Sequence, residues 1–139
     1  TDIQEDIPGL TITLKSQPKK ARLELQQNDD FQLSLHRWGP DYPDPMTYLD
    51  LYLPGASGNY DRYDNEEYTK LVELAAGGTQ SDSDRWQTMK DAEALLLSDG
   101  LGPVPVYQVG SSTLWNPAVK GRVYNLTGVS YYYKNAYVE

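Results

Sequence analysis

The stretch that decides the fold is residues 31–45, which read FQLSLHRWGPDYPDP. Residues 31–38 alternate in side-chain character, with Phe31, Leu33 and Leu35 on one face, and this period of two is typical of a β-strand. Residues 39–45 contain three prolines and a glycine, which exclude regular structure. The stretch therefore predicts a strand that ends at Trp38 and runs directly into a rigid loop.

Helical patterns lie on both sides of this stretch. Four helices are predicted, over residues 19–27, over 46–53, from a cap at Asp64 or Asn65 to Gly77-Gly78, and from a cap near Ser81 to the break at residues 100–103. The apolar spacing of the last two predicts which side chains face the core. These are Tyr68, Leu71, Val72 and Ala75 in the first, and Trp86, Met89, Glu93, Leu96 and Leu97 in the second, with Ala92 and Ala94 filling in.

Strand-like patterns are shorter. They cover residues 10–15, 104–107, 114–115, 119–124 and 129–138, in addition to residues 31–38. Pro105 indicates that the segment at 104–107 is an edge strand. Strands that alternate with helices predict the α/β class, here with a small mixed sheet flanked by helices.

Length, charge and composition exclude several classes of protein. The chain has 139 residues, which favours one domain, and no cysteine, which excludes disulfides and thiolate metal sites. Twelve basic against twenty acidic residues give a net charge of −8, which argues against nucleic acid and anionic membranes as partners. Twelve tyrosines and three tryptophans against one phenylalanine suggest either a wet surface or a recognition surface.

Few side chains suggest chemistry. His36 is the single histidine and is interpreted as a solvated or hydrogen-bonded strand residue. Asp41 and Asp44 could form a carboxylate pair for glycoside hydrolysis or calcium binding, although the loop lacks the calcium-loop pattern. Trp38 and Asp41 at a strand end would also suit an extended peptide, with main-chain pairing and a carboxylate for the α-ammonium group. The alternative is that both residues only shape a turn.

A family resemblance extends from residue 31 to the end of the chain. The segment at residues 37–51, RWGPDYPDPMTYLDL, resembles the W-x-x-D-Y-x-D-P motif of extracellular solute-binding proteins family 5, the peptide-binding components of ABC importers. Weaker matches follow in the family's order. They are YDNEEY at residues 63–68, Arg85 through Leu96, VPVY at 104–107, NPAVKG at 116–121 and YKNAY at 133–137.

The resemblance implies a two-lobed Venus-flytrap receptor with a type II periplasmic-binding-protein-like fold. Residues 1–139 would be a C-terminal fragment of such a receptor, a single domain from its C-terminal lobe, with the tail at about 129–139 near the hinge. The first lobe and an N-terminal lipid anchor would be missing. The acidic N-terminus lacks the apolar region of a signal peptide, and a processed or truncated chain would lack it as well.

By the same resemblance, Asp41 pairs with the α-amino group of a bound peptide. Backbone groups of Arg37, Trp38 and Gly39 pair with the peptide main chain, Trp38 lines a side-chain pocket, and Tyr133 or a neighbouring tyrosine contacts ligand near the hinge. This chain departs from the family at Thr69, a position where the family often has Asp. Its members bind ligand without enzymatic chemistry, so no cofactor or metal is expected.

Two functions are therefore open. The first is ligand capture for a bacterial ABC importer, outside the cell, at the cell surface or in the periplasm. Its expected partners are a peptide ligand and the membrane permease subunits, and no nucleic acid. Membrane attachment is expected only through the missing lipid anchor. The alternative is a secreted carbohydrate-binding or carbohydrate-active domain that uses its tyrosines and tryptophans as sugar platforms.

Overall fold

The chain forms two compact units. The computed structural model describes residues 2–139, and Thr1 lies outside the described residues. The first unit ends at Leu35, and the second runs from His36 to Glu139. That residues 1–139 form a single lobe fragment stays a prediction.

The first unit contains two helices, α1 (Asp2–Asp6) and α2 (Lys19–Gln27). The bounds of α2 are those predicted from the sequence. Its buried side chain is Gln26, which donates from Nε2 to Ser34 Oγ at 2.6 Å and accepts from Arg22 Nη1 at 3.0 Å. An amide can be buried there because both ends of the group are hydrogen-bonded. Residues 10–18 of this unit have neither helix nor ladder.

The second unit is built on helices α4 (Glu66–Ala76) and α5 (Asp82–Ser98), which pack against each other. The short helix α3 (Met46–Leu49), continued by a 3₁₀ turn at Asp50–Tyr52, packs against both. The buried apolar side chains of this unit come from these helices and the connecting loop. They are Met46, Leu49, Tyr63, Tyr68, Val72, Ala75, Met89, Ala92 and Leu96.

Polar caps set the starts of the two long helices. Asn65 Oδ1 accepts from the amide of Tyr68 at 3.1 Å, and Ser81 Oγ accepts from the amide of Asp84 at 3.2 Å. Each bond satisfies one of the amides that a helix N-terminus leaves unpaired. Gly78, with φ +67°, follows the end of α4 in a conformation that glycine adopts without strain. Both predicted caps and the apolar stripe of α4 are confirmed.

The predicted core face of α5 is partly wrong. Trp86 is 55% exposed and Leu97 is 44% exposed, whereas Met89 and Leu96 are buried as predicted. The buried face of α5 also includes Thr88 and Ala92. The buried face of α5 thus runs through Thr88, Met89, Ala92 and Leu96, and Trp86 and Leu97 lie outside it.

Four two-residue strands form two antiparallel ladders. β1 (Val119–Lys120) pairs with β4 (Tyr137–Val138), and β2 (Val123–Tyr124) pairs with β3 (Tyr131–Tyr132). The predicted strand over 119–124 is interrupted at Gly121, where φ is +71° and a Cβ atom would collide with the carbonyl oxygen of Asn135. Helices with small sheets confirm the predicted class, and both ladders are antiparallel.

Four other predicted strands, at residues 10–15, 31–38, 104–107 and 114–115, form no ladder within the described chain. An extended segment becomes a strand only when a neighbour accepts and donates its hydrogen bonds. These segments have no such neighbour among residues 2–139, and Leu33 is 90% exposed. Of the helices in the same range, none has the length and apolar character needed to cross a bilayer.

The packing makes Tyr68 a sensitive position. Its hydroxyl donates to the carbonyl of Leu49 at 2.5 Å, and burial raises its pKa. We expect Tyr68→Phe to lower the free energy of unfolding by about 1–3 kcal/mol, because the buried carbonyl loses its partner. Urea denaturation followed by far-UV circular dichroism measures the change.

Tyr48→Phe is the matched control, because Tyr48 lies on α3 with its ring 44% exposed. It should leave the urea midpoint nearly unchanged. Equal midpoints for wild type and Tyr68→Phe would contradict a stabilising role for the Tyr68–Leu49 bond.

Candidate functional site

The backbone from His36 to Gly39 belongs to no helix or ladder and leads into the proline-rich loop. The imidazole of His36 lies between two aromatic rings, 6.5 Å from Trp38 and 5.6 Å from Tyr60, with the second contact edge-on at 87°. The rings of His36 and Trp38 therefore lie on the same side of this segment. Trp38 is 37% exposed, so part of this amphipathic residue is accessible to solvent.

Asp41 is anchored through its backbone and open at its side chain. Its amide donates to Thr47 Oγ1 at 3.0 Å, and Thr47 is buried at the start of α3. Its carboxylate is exposed and has no hydrogen-bond or ion-pair partner within residues 2–139. A fixed backbone with a free carboxylate is the arrangement that recognition of a cationic group requires.

Gly39 and Arg37 expose their backbone on either side of Trp38. No backbone hydrogen bond involves residues 37–39 in the part of the chain that the structure describes. A Cβ atom at Gly39 would meet nothing within 4 Å, so its surroundings are open. Residues 37–39 thus present unpaired N–H and C=O groups, which an extended ligand could use.

Tyr133 lies in a different cluster. The centre of its ring is 5.9 Å from that of Trp115 and 6.3 Å from that of Tyr131. The guanidinium carbon of Arg122 lies over the Trp115 ring, 4.3 Å from the ring centre. No hydrogen bond or ring contact among the described residues joins Tyr133 to Trp38 or Asp41. The structure therefore groups Arg37, Trp38, Gly39 and Asp41, and the role of Tyr133 stays a prediction.

The contact that sequence reasoning missed is an ion pair between Asp44 and Arg85. The guanidinium donates from Nη1 to Asp44 Oδ2 at 2.9 Å and from Nη2 to Oδ1 at 3.0 Å. Asp44 Oδ1 also accepts from the amide of Met46 at 2.9 Å. The hydrogen bonds from Arg85 hold the pKa of the Asp44 carboxyl below its ordinary value. The two residues are 41 positions apart, so no local pattern signals the pair.

This pair argues against an acid–base role for Asp41 and Asp44 together. A general acid needs a raised pKa, whereas that of Asp44 is lowered. Tyr42 donates to Asp50 Oδ2 at 2.7 Å, and its partial burial together with the neighbouring carboxylates raises its pKa to about 12. Within residues 2–139, no group of three metal-ligating side chains is placed to hold an ion.

Comparison with known proteins gives relatives along the whole chain. No family model matches. The chain is 34% identical over 143 residues to a dipeptide-binding protein of Lactococcus lactis subsp. cremoris, an alignment that includes 100% of this chain and 26% of the relative. It is 32% identical over 120 residues to the dipeptide-binding protein DppE of Bacillus subtilis, covering 86% of this chain and 22% of that protein.

Solved structures give the same result. The substrate-binding domain of an oligopeptide ABC transporter from Bacillus anthracis superposes with a TM-score of 0.82 at 37% identity, covering 98% of this chain and 26% of that chain. OppA of Listeria monocytogenes, solved with bound peptide, gives a TM-score of 0.78 at 37% identity, covering 98% and 25%. The chain therefore spans about a quarter of the length of these relatives. The carbohydrate alternative has no support among them.

The lowered pKa of Asp44 sets a pH dependence. A carboxyl with a depressed folded-state pKa stabilises the fold above its unfolded pKa of about 4, and this stabilisation is lost as the pH falls through the folded value. We expect Asp44→Asn to lower the free energy of unfolding at pH 7 by about 1–3 kcal/mol. The difference from wild type should shrink below about pH 4. Urea titrations at several pH values measure it.

Asp64→Asn is the control, because Asp64 is exposed and has no ion-pair partner in the described chain. It should show no difference that depends on pH in this way. A constant difference between Asp44→Asn and wild type from pH 7 to pH 3 would contradict the assignment of the ion pair.

Proposed function

We propose, from the premise that the chain belongs to the family of dipeptide- and oligopeptide-binding proteins of ABC importers, that it supplies part of a peptide-binding cleft. The observation that carries the proposal is the exposed carboxylate of Asp41, two residues after the unpaired backbone of residues 37–39. In this proposal the chain forms part of the C-terminal lobe, with residues 129–139 near the hinge.

The proposed binding mode follows from the open groups of the loop. An extended peptide lies along residues 37–39, so that its main chain pairs with backbone of Arg37, Trp38 and Gly39. Its α-ammonium group then reaches the carboxylate of Asp41, which has no competing partner among the described residues. The exposed ring of Trp38 forms one wall of a side-chain pocket. Tyr133 contributes to ligand contact near the hinge.

Backbone pairing suits a receptor for peptides of varied sequence. Main-chain hydrogen bonds and a terminal ion pair recognise groups that every peptide carries, so they impose little preference for particular side chains. A tryptophan ring adds contact area without demanding a defined partner. The described site is therefore fitted to bind the peptide by its backbone and N-terminus.

Capture without chemistry is part of the proposal. The relatives are binding proteins of transporters, not enzymes. In the described loop, the carboxylate nearest Asp41 in sequence, that of Asp44, is committed to Arg85. No side chain of the loop is thus arranged as an acid–base pair, and the chain retains ligand rather than transforming it.

The proposal places the chain outside the cytoplasmic membrane of a bacterium. Two further relatives are described as periplasmic, the murein peptide-binding protein MppA of Escherichia coli and the oligopeptide-binding protein OppA of Salmonella typhimurium. As part of a longer receptor, it would deliver peptide to the permease subunits of the importer. A lipid anchor on such a receptor stays a prediction.

A titration with short peptides tests the role of Asp41. We expect Asp41→Asn to weaken binding of tri-alanine by about tenfold, which corresponds to about 1.4 kcal/mol, because an ion pair that remains partly solvated is lost. Binding of N-acetyl-tri-alanine, which has no α-ammonium group, should change little. Chemical shifts of the Trp38 indole in NMR titrations at millimolar peptide report both affinities.

Asp61→Asn serves as the matched control, since it removes an exposed carboxylate from a neighbouring loop of the same unit. It should bind both peptides as wild type does. If wild type and Asp41→Asn bind tri-alanine with equal affinity, Asp41 is not the α-ammonium partner.

A further inference from the structure

The loop at residues 39–45 makes few backbone hydrogen bonds within itself. Prolines at positions 40, 43 and 45 carry no amide hydrogen, so three of the seven residues cannot donate a backbone hydrogen bond. The backbone bond within it joins the amide of Asp44 to the carbonyl of Tyr42 at 2.9 Å. The position of the loop therefore depends on contacts with other parts of the unit.

Four side-chain contacts supply that support. The amide of Asp41 donates to Thr47, and the hydroxyl of Tyr42 donates to Asp50. The carboxylate of Asp44 accepts from the amide of Met46 and from the guanidinium of Arg85. Thr47 and Asp50 belong to the helical turn that follows the loop in sequence. Arg85 alone among these partners comes from a distant part of the chain, so it fixes the loop against the α4–α5 pair.

Arg85 is held as firmly as the carboxylate that it holds. Its Nε donates to the carbonyl of Ala75 at 2.8 Å, while its two terminal nitrogens grip Asp44. Ala75 lies in the last turn of α4, where carbonyls lack helical partners. One planar guanidinium thus joins the first turn of α5, the end of α4 and the loop, in a geometry that an ammonium group cannot reproduce.

The ion pair is partly shielded from water. The side chain of Arg85 is 29% exposed and that of Asp44 is 31% exposed. Two parallel hydrogen bonds under partial burial resist rotation more than a solvated surface pair does. Lys20 and Lys70, by contrast, form exposed i,i+4 pairs within their own helices.

We propose that Arg85 is a positioning residue for the peptide site, which acts by holding Asp44 and so fixes where Asp41 and Trp38 stand. The peptide part of this inference rests on the proposed function. Asp41 is three residues from Asp44. The hydrogen bond from its backbone amide to Thr47 Oγ1 spans the same loop. Without Arg85, Asp44 keeps its bonds from the amides of Met46 and Thr47, but the loop loses its connection to α4 and α5. The Asp41 carboxylate is then free to leave the place where an α-ammonium group would meet it.

Two variants separate position from charge. Arg85→Lys keeps the positive charge but loses the fork, and Arg85→Gln loses both. Lys90→Gln, an exposed substitution five residues further along the same helix, is the matched control. Each variant is first compared with wild type by urea denaturation, and affinities are measured where the folded fraction is above nine-tenths.

The first measurement needs no ligand. Hydrogen exchange of the Asp41 amide reports its bond to Thr47, and that of Ala92 reports the interior of α5. We expect Arg85→Gln to speed exchange at Asp41 by about tenfold relative to Ala92, and Arg85→Lys to give an intermediate rate. Lys90→Gln should leave the ratio unchanged. An unchanged ratio in Arg85→Gln overturns the positioning role, whatever the chain binds.

The second measurement is the preference for tri-alanine over N-acetyl-tri-alanine. A merely structural role for Arg85 weakens both peptides alike and preserves this ratio, whereas misplacement of Asp41 lowers it. We expect the ratio to fall at least about threefold in Arg85→Gln and to be partly restored in Arg85→Lys. A ratio that stays at the wild-type value in Arg85→Gln overturns the positioning role.

The two proposals fail separately. If the wild-type chain does not distinguish the two peptides, the proposed function fails, and Asp41 amide exchange alone then decides whether Arg85 positions the loop. The other case has three results: wild type distinguishes the two peptides, Asp41→Asn abolishes the preference, and Arg85→Gln retains it. The proposed function then stands, and the role of Arg85 is overturned.

Discussion

The second unit depends on the complete burial of Tyr68. Its ring is 0% exposed and packs edge-on against Tyr63, with centres 5.2 Å apart, and its hydroxyl reaches the carbonyl of Leu49. The same residue supplies the amide that Asn65 caps. One tyrosine therefore fixes the start of α4, the end of α3 and the connecting loop. A phenylalanine would fill the space but leave the α3 carbonyl without its donor.

The position of α3 determines what the proline-rich loop can do. Met46 and Leu49 are buried against the two long helices, so Thr47 stands at a defined place and holds the amide of Asp41. Arg85 then fixes the loop from the side of α5. Apolar packing sets the helices, polar contacts set the loop, and the loop leaves the Asp41 carboxylate in solvent. In the proposed function, contact with the α-ammonium group of a peptide therefore depends on packing in the core.

Local signals predicted the helices and the loop well. Asn65 and Ser81 are caps that act within three residues, and the three prolines act through their own backbone, so their effects can be predicted from neighbouring positions. The Asp44–Arg85 pair links positions 41 residues apart and depends on how α5 packs, which no local pattern encodes. The same holds for the exposed Trp86, because the buried face of a helix is chosen by its neighbour.

The strands show the limit of pattern reasoning most clearly. The alternation over residues 31–38 is as regular as that of a half-buried strand, yet Leu33 and Leu35 are among the most exposed apolar side chains described. Alternation reflects selection for a buried face, and a face is buried only by neighbours. Residues 2–139 provide no such neighbour, and the chain spans about a quarter of its relatives' length. The alternation therefore predicts a strand that residues 2–139 leave unpaired, whereas the loop of Asp41 is held by contacts within these residues.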